Sequence, residues 1–174
     1  MKFITNTSDL SKYLSIPFKE NSVIKSISTD TRSIKKDSMF IAIRGKNFDG
    51  NDFVDEALEK GAVIILADHK RYQEKKNKKI IYVENTISAL KKISENIIKE
   101  FKGNVIAITG SNGKTTTTNL VYKTLKNSSK TLKNFNNEIG MPLSIMNASC
   151  KSSNLVLEIG ASKFRDINLS LIHI

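Results

Sequence analysis

A chain of 174 residues, 39% hydrophobic and 26% charged, can build one or two small domains around a buried core. Its one cysteine, Cys150, excludes an internal disulfide framework and a paired-cysteine metal centre, and neither a signal-peptide core nor a run of about 18 apolar residues is present. The formal charge of +11 comes with scattered lysines and only 7% aromatic residues, so it reads as a solvated basic surface suited to an anionic small ligand, not as a nucleic-acid footprint. A cytoplasmic, monomeric protein with no membrane span is expected.

In chain order, TSDLSKYLS can form a short helix with Leu10 and Leu14 on its buried side. MFIAI (Met39 to Ile43), AVIILA (Ala62 to Ala67) and IIYV (Ile80 to Val83) are rich in β-branched residues and bounded by polar stretches, as strands are. Between the first two lies NDFVDEALEKGA, a helix with Asp52 as its expected N-cap and Gly61 as its stop. The basic cluster HKRYQEKKNKK reads as an exposed loop or short helix. Next, Ile87, Leu90, Ile93, Ile97 and Phe101 recur at helical spacing, with Thr86 as expected N-cap and Gly103 as stop.

After that helix, NVIAITG reads as a buried strand, KTTTTNLVYKTLKN as a helix and KTLKN as a short strand. EIGMPLSIMNAS then reads as a turn and helix, and NLVLEIGAS as a further strand. The alternation is that of an α/β fold: a small N-terminal α/β domain over residues 1–84, then the first half of a phosphate-loop parallel-sheet domain over 85–174. An open sheet of this kind usually carries about five or six strands, so the apolar ending RDINLSLIHI suggests a shortened chain.

The most informative stretch is TGSNGKTT. Gly110 and Gly113 let the backbone approach an anion, and amides from Asn112 to Thr116 face it from the start of a helix. Lys114 is placed to reach phosphates, and the Thr115 hydroxyl to bind Mg²⁺. The spacing is shorter than G-x-x-x-x-G-K-[ST]: counting back from Gly113 in that register lands on Ile108, not on glycine.

This shorter loop resembles that of the Mur ligase family, ATP-dependent enzymes that extend peptidoglycan precursors; folylpolyglutamate synthetases share it. STDTRSIKKDSMFIAIRGKNFDGNDFVDEALEKGA is similar to the family's N-terminal domain, NFNNEIGMPLS to a segment of the member that adds D-alanyl-D-alanine, and VLEIGAS to the strand end that supplies a magnesium-binding glutamate. Two residues depart from the pattern: Asn51 stands where histidine is common, and Arg165 where glycine is common.

The resemblance implies that Gly110, Ser111, Asn112, Gly113, Lys114, Thr115 and Thr116 hold ATP. It gives Lys114 and Glu158 catalytic roles, with Thr115 and Glu158 as the Mg²⁺ ligands. It places Thr29, Asp30, Arg32, Asn47, Asp49 and Gly50 against a UDP moiety, and Asn136 and Asn137 against the muramyl part; a turn capping a helix is the other reading of the two asparagines. The implied reaction joins D-alanyl-D-alanine to UDP-N-acetylmuramoyl-tripeptide through an acyl phosphate, and the present chain alone is expected to be inactive. A different ligase of the family, or a nucleotide-binding module without catalysis, are the alternatives.

Overall fold

The computed structural model describes residues 2–18, 20–73, 77–132 and 135–160. Arg165, Ser162 and the apolar ending lie outside the described residues, as does part of the basic cluster. The chain divides into two compact units, one of Ile4–Ala89 and one of Leu90–Ile174 together with Met1–Phe3.

The first unit opens with α1 (Thr7–Leu14), where the Asn6 side chain accepts from the Asp9 amide while the Asp9 carboxylate accepts from the Asn6 amide. Leu10 and Leu14 are buried, as their spacing requires. Four parallel strands follow: β1 (Ser26–Ser28), β2 (Ser38–Ile41), β3 (Ala62–Ala67) and β4 (Ile80–Tyr82), ordered β1-β2-β3-β4. The central strands β2 and β3 are buried almost throughout. Their Phe40, Ala62, Ile65 and Ala67 share a core with Val54 and Ala57 of α2 (Val54–Glu59).

Two helix starts differ from the sequence expectation. A 3₁₀ turn, Gly50–Phe53, precedes α2, and Asp49 rather than Asp52 supplies the capping carboxylate to it. Gly50 presses on the backbone just beyond β2: a Cβ there would meet the Ile43 nitrogen and oxygen, each at 2.6 Å. The long helix α3 (Thr86–Glu100) carries the chain between the units, and its cap is Asn85, whose Oδ1 accepts from the Ser88 amide at 2.8 Å. Thr86 is thereby free to donate its hydroxyl to the Ala42 carbonyl at 3.0 Å. Leu90, Ile93 and Ile97 are fully buried.

In the second unit β5 (Asn104–Ile108), α4 (Lys114–Thr124), β6 (Ser128–Lys130), α5 (Gly140–Asn147) and β7 (Asn154–Glu158) alternate. The sheet order is β5-β7-β6, all parallel, so the last described strand inserts between the first two. β7 is buried at every residue, whereas none of the residues of β5 is, which corrects the reading of β5 as the buried strand. Among the described residues β5 pairs on one side only, and burial follows the strand with two neighbours. A short strand is expected over Lys130 to Asn134, of which Lys133 and Asn134 lie outside the described residues; the strand described is Ser128–Lys130.

Candidate functional site

The chain leaves β5 at Ile108 and turns into α4 through Gly110 and Gly113, which hold φ of +150° and +77°. Neither glycine is crowded: a Cβ on Gly113 would meet nothing within 4 Å, and one on Gly110 only the Asn112 carbonyl at 3.7 Å. Glycine serves here for its backbone conformation. No side chain caps α4, so its first amides stay available for an anion, with the helix field behind them. The Lys114 ammonium donates to the carbonyls of Gly110 at 2.7 Å and Ser111 at 3.3 Å. Ser111, Asn112 and Thr116 are exposed around it.

Glu158 ends β7 opposite Ile108 in register, so strand pairing alone brings a carboxylate to the mouth of the phosphate loop. Its residue is only 3% exposed, yet among the described residues it makes no ion pair. Neutral donors hold it instead: the Thr115 hydroxyl donates to Oε2 at 2.9 Å and the Asn136 amide to Oε1 at 2.9 Å. Its backbone N–H donates to the Thr131 hydroxyl at 2.7 Å. A buried carboxylate beside a hydroxyl, with no ion pair among the described residues to neutralise it, is an oxygen donor set fit for a hard divalent ion. No group of three or more acidic, histidine or cysteine side chains poised for a metal occurs among the described residues.

The two asparagines part company. Asn136 is bound to Glu158, and its carbonyl accepts from the Gly160 amide at 2.7 Å. Asn137 instead turns its Oδ1 to the amides of Ile139 and Gly140, at 3.2 and 2.8 Å, and so terminates the start of α5.

The remaining sequence-derived candidates lie on the first unit, in loops that leave the C-terminal ends of adjacent strands β1 and β2. Thr29 leads into Asp30, which caps the 3₁₀ turn Thr31–Ser33 and takes Arg32 in a two-point ion pair, the shorter contact 2.7 Å. The hydrogen bond from the Arg32 side chain, aided by the Arg32 amide, lowers the Asp30 carboxyl to about 2. Asn47 is exposed at the tip of the next loop. Asp49 is desolvated, which would raise its pKa. Hydrogen bonds from the Asn51 backbone and side chain, with Arg44 at 3.0 Å, outweigh that and hold it below the usual carboxylate range.

Asn51 is the centre of this region and is fully buried. Its Nδ2 donates to Asp49 at 2.7 Å and to Asp68 at 2.8 Å, and its Oδ1 accepts from the amides of Asp68 and His69. Its carbonyl accepts from Arg71 at 2.5 Å and from the Tyr72 hydroxyl at 3.0 Å. Asp68 also accepts from Thr86, through the amide at 3.3 Å and the hydroxyl at 3.2 Å. Sequence reading gives Asp68 and Arg44 no role and Thr86 only a capping one; their partners lie up to 44 residues away, and only the asparagine at the histidine position signals the region.

Fold and loop together define a class: parallel α/β units, one bearing a phosphate loop of the nucleotide-binding kind with a carboxylate on the neighbouring strand. Residues 23–109 match the family model described as Mur ligase family, catalytic domain, and residues 108–172 the Mur ligase middle domain. The chain belongs to the Mur ligase family. A UDP-N-acetylmuramoyl-tripeptide–D-alanyl-D-alanine ligase of Bacillus subtilis is 36% identical over 159 residues, covering 90% of this chain and 35% of that protein. One of Buchnera aphidicola is 43% identical over 147 residues, covering 83% of this chain and 32% of that protein. The crystal structure of the MurF ligase of Thermotoga maritima in complex with ADP superposes with a TM-score of 0.73 at 36% identity, over 85% of this chain and 35% of that one. The chain thus spans about a third of the length of the relatives it matches.

Proposed function

We propose that this chain provides the nucleotide-binding parts of an ATP-dependent ligase that joins D-alanyl-D-alanine to UDP-N-acetylmuramoyl-tripeptide in the cytoplasm. The observation that carries the reading is the pairing of Ile108 with Glu158, which sets a buried carboxylate beside a phosphate loop. Relatives named for this reaction are 36% and 43% identical, and a neighbouring structure holds ADP.

In this reading the second unit binds ATP. The free amides at the start of α4 receive the phosphates, and Lys114 leaves the carbonyls of Gly110 and Ser111 to neutralise the transferred oxygens. Thr115 and Glu158 would hold Mg²⁺, which supplies charge neutralisation on the phosphate oxygens. Asn136 keeps the Glu158 carboxylate turned to the loop. The first unit takes the UDP-sugar, with Thr29, Asp30, Arg32, Asn47, Asp49 and Gly50 around it; in the second unit Asn136 and Asn137 are the residues proposed for the muramyl part. The chemical strategy is positioning and electrostatics: a substrate carboxylate attacks the γ-phosphate to give an acyl phosphate, which the dipeptide amine then opens.

Isothermal titration of the 174-residue chain with ADP and Mg²⁺, and separately with UDP-N-acetylmuramoyl-tripeptide, tests both halves. Saturable binding of each is expected. Absence of ADP binding would sink the nucleotide reading; binding of ADP without the UDP-sugar would confine it to the second unit.

A further inference from the structure

Two glycines in these loops follow a residue whose side chain ends in a carbonyl carbon: Asp49–Gly50 and Asn112–Gly113. A glycine nitrogen, unshielded by any side chain, can attack that carbon and close a succinimide ring if the nitrogen is free and the loop can turn. At Asp49–Gly50 neither condition holds. The Gly50 amide donates to the Ile43 carbonyl at 3.0 Å, the glycine is buried against the Ala42 and Ile43 backbone, and Asn51 fixes the Asp49 carboxylate by two hydrogen bonds.

At Asn112–Gly113 the restraints seen at Asp49–Gly50 are missing. Both residues are exposed, and among the described residues neither the Asn112 side-chain amide nor the Gly113 N–H makes a hydrogen bond. The space around Gly113 is open, and its nitrogen sits at the start of α4, where the helix field eases loss of the amide proton.

We propose that Asn112–Gly113 is a self-modification site which disables the phosphate loop. The Gly113 nitrogen forms a bond to Asn112 Cγ, the Cγ–Nδ2 bond breaks, and ammonia departs carrying the proton from the glycine nitrogen. Water then opens the succinimide at one of its two carbonyls and leaves aspartate or isoaspartate. Either product puts a negative charge among amides arranged for an anion, and isoaspartate also lengthens the backbone between Ser111 and Gly113. A nucleotide phosphate occupying the Gly113 N–H would block the attack, so the free loop is the vulnerable one. That protective arm rests on the nucleotide reading above; the chemistry of the free loop does not.

The chain carries its own control in Asn127–Ser128, where the Asn127 amide is held by the Lys151 carbonyl at 2.7 Å and the Ser153 hydroxyl at 3.0 Å. The 174-residue protein is incubated at mildly alkaline pH, with and without saturating ADP and Mg²⁺, and mapped by peptide mass spectrometry while ADP affinity is followed by titration. Amide-to-acid conversion is expected at Asn112 well ahead of Asn127, slowed by ADP, with the converted fraction binding ADP about tenfold or more weakly. Asn112→Gln, whose longer side chain closes the corresponding ring far more slowly, should stay unconverted. Conversion at Asn112 no faster than at Asn127 would overturn the proposal, as would a converted loop with unchanged ADP affinity. If fresh protein binds no ADP, the nucleotide reading fails, and conversion in the free chain still decides whether the site modifies itself.

Discussion

The two units present the same architectural opportunity, a loop leaving the C-terminal end of a parallel strand, and use it in opposite ways. After β2, the turn from Asp49 to Asn51 is saturated: Asn51 spends its side-chain amide and its carbonyl on Asp49, Asp68, His69, Arg71 and Tyr72, and Gly50 is wedged against Ile43. After β5, the segment from Gly110 to Lys114 is unsaturated: its glycines touch almost nothing and its helix has no cap. Polar groups whose partners lie within the chain set the fold of the first loop. In the second, groups left without partners make an anion site. Changes in the first loop should therefore register as lost stability, and changes in the second as lost binding.

The largest expected effect is that of Gly50→Val. Its Cβ would lie within 2.6 Å of the Ile43 backbone, so the first unit should lose about 3–5 kcal/mol, read as an early transition in urea unfolding. Asp68→Ala comes next. It strips an acceptor from the buried Asn51 amide and from Thr86, and should cost about 2–4 kcal/mol by the same measurement while leaving ADP affinity unchanged. Lys114→Ala is the converse experiment: unfolding should shift by less than about 0.5 kcal/mol, while ADP·Mg²⁺ affinity in calorimetry falls about 30- to 100-fold, the worth of roughly 2–3 kcal/mol of charge-assisted bonding. A large stability loss in Lys114→Ala, or lost ADP binding in Asp68→Ala, would break the contrast.

The smallest effect is a pH dependence. Arg32 holds the Asp30 carboxyl at about 2, below its value in the unfolded chain, so the pair's contribution is complete near neutral pH and disappears as pH falls through about 2. Because both side chains are substantially exposed, solvent screens the pair, so wild type and Arg32→Met should give nearly superimposable acid-unfolding curves, any small wild-type advantage vanishing as pH falls through about 2.

Local chemistry was legible in the sequence and long-range closure was not. Ala62–Ala67 was read as a strand with the bounds the fold gives it, because six apolar residues between a helix-stopping glycine and an aspartate leave little choice. Gly110 to Thr116 could be read for the same reason, each residue having a local role. Ser26–Ser28 went unread: Ser-Ile-Ser has no strand signature, and only pairing with β2 makes it one. Asp52 and Thr86 are good capping residues by type, yet Asp49 and Asn85 took the positions once Gly50 and Asp68 had fixed the adjoining turns. The exposure of β5 depends on where β7 inserts, which no window along the chain reveals.

The register of β5 against β7 reaches further than the stability of the sheet. Ile108 faces Glu158 because Asn104 faces Asn154, and the Asn104 amide donates to the Asn154 side chain at 3.1 Å at the far end of the ladder. Successive strand residues point to opposite faces, so a slip of one position would carry the carboxylate to the other side of the sheet from Thr115. The asparagine pair thus acts as a gauge block, setting at one end of two strands the alignment on which a charge at the other end depends.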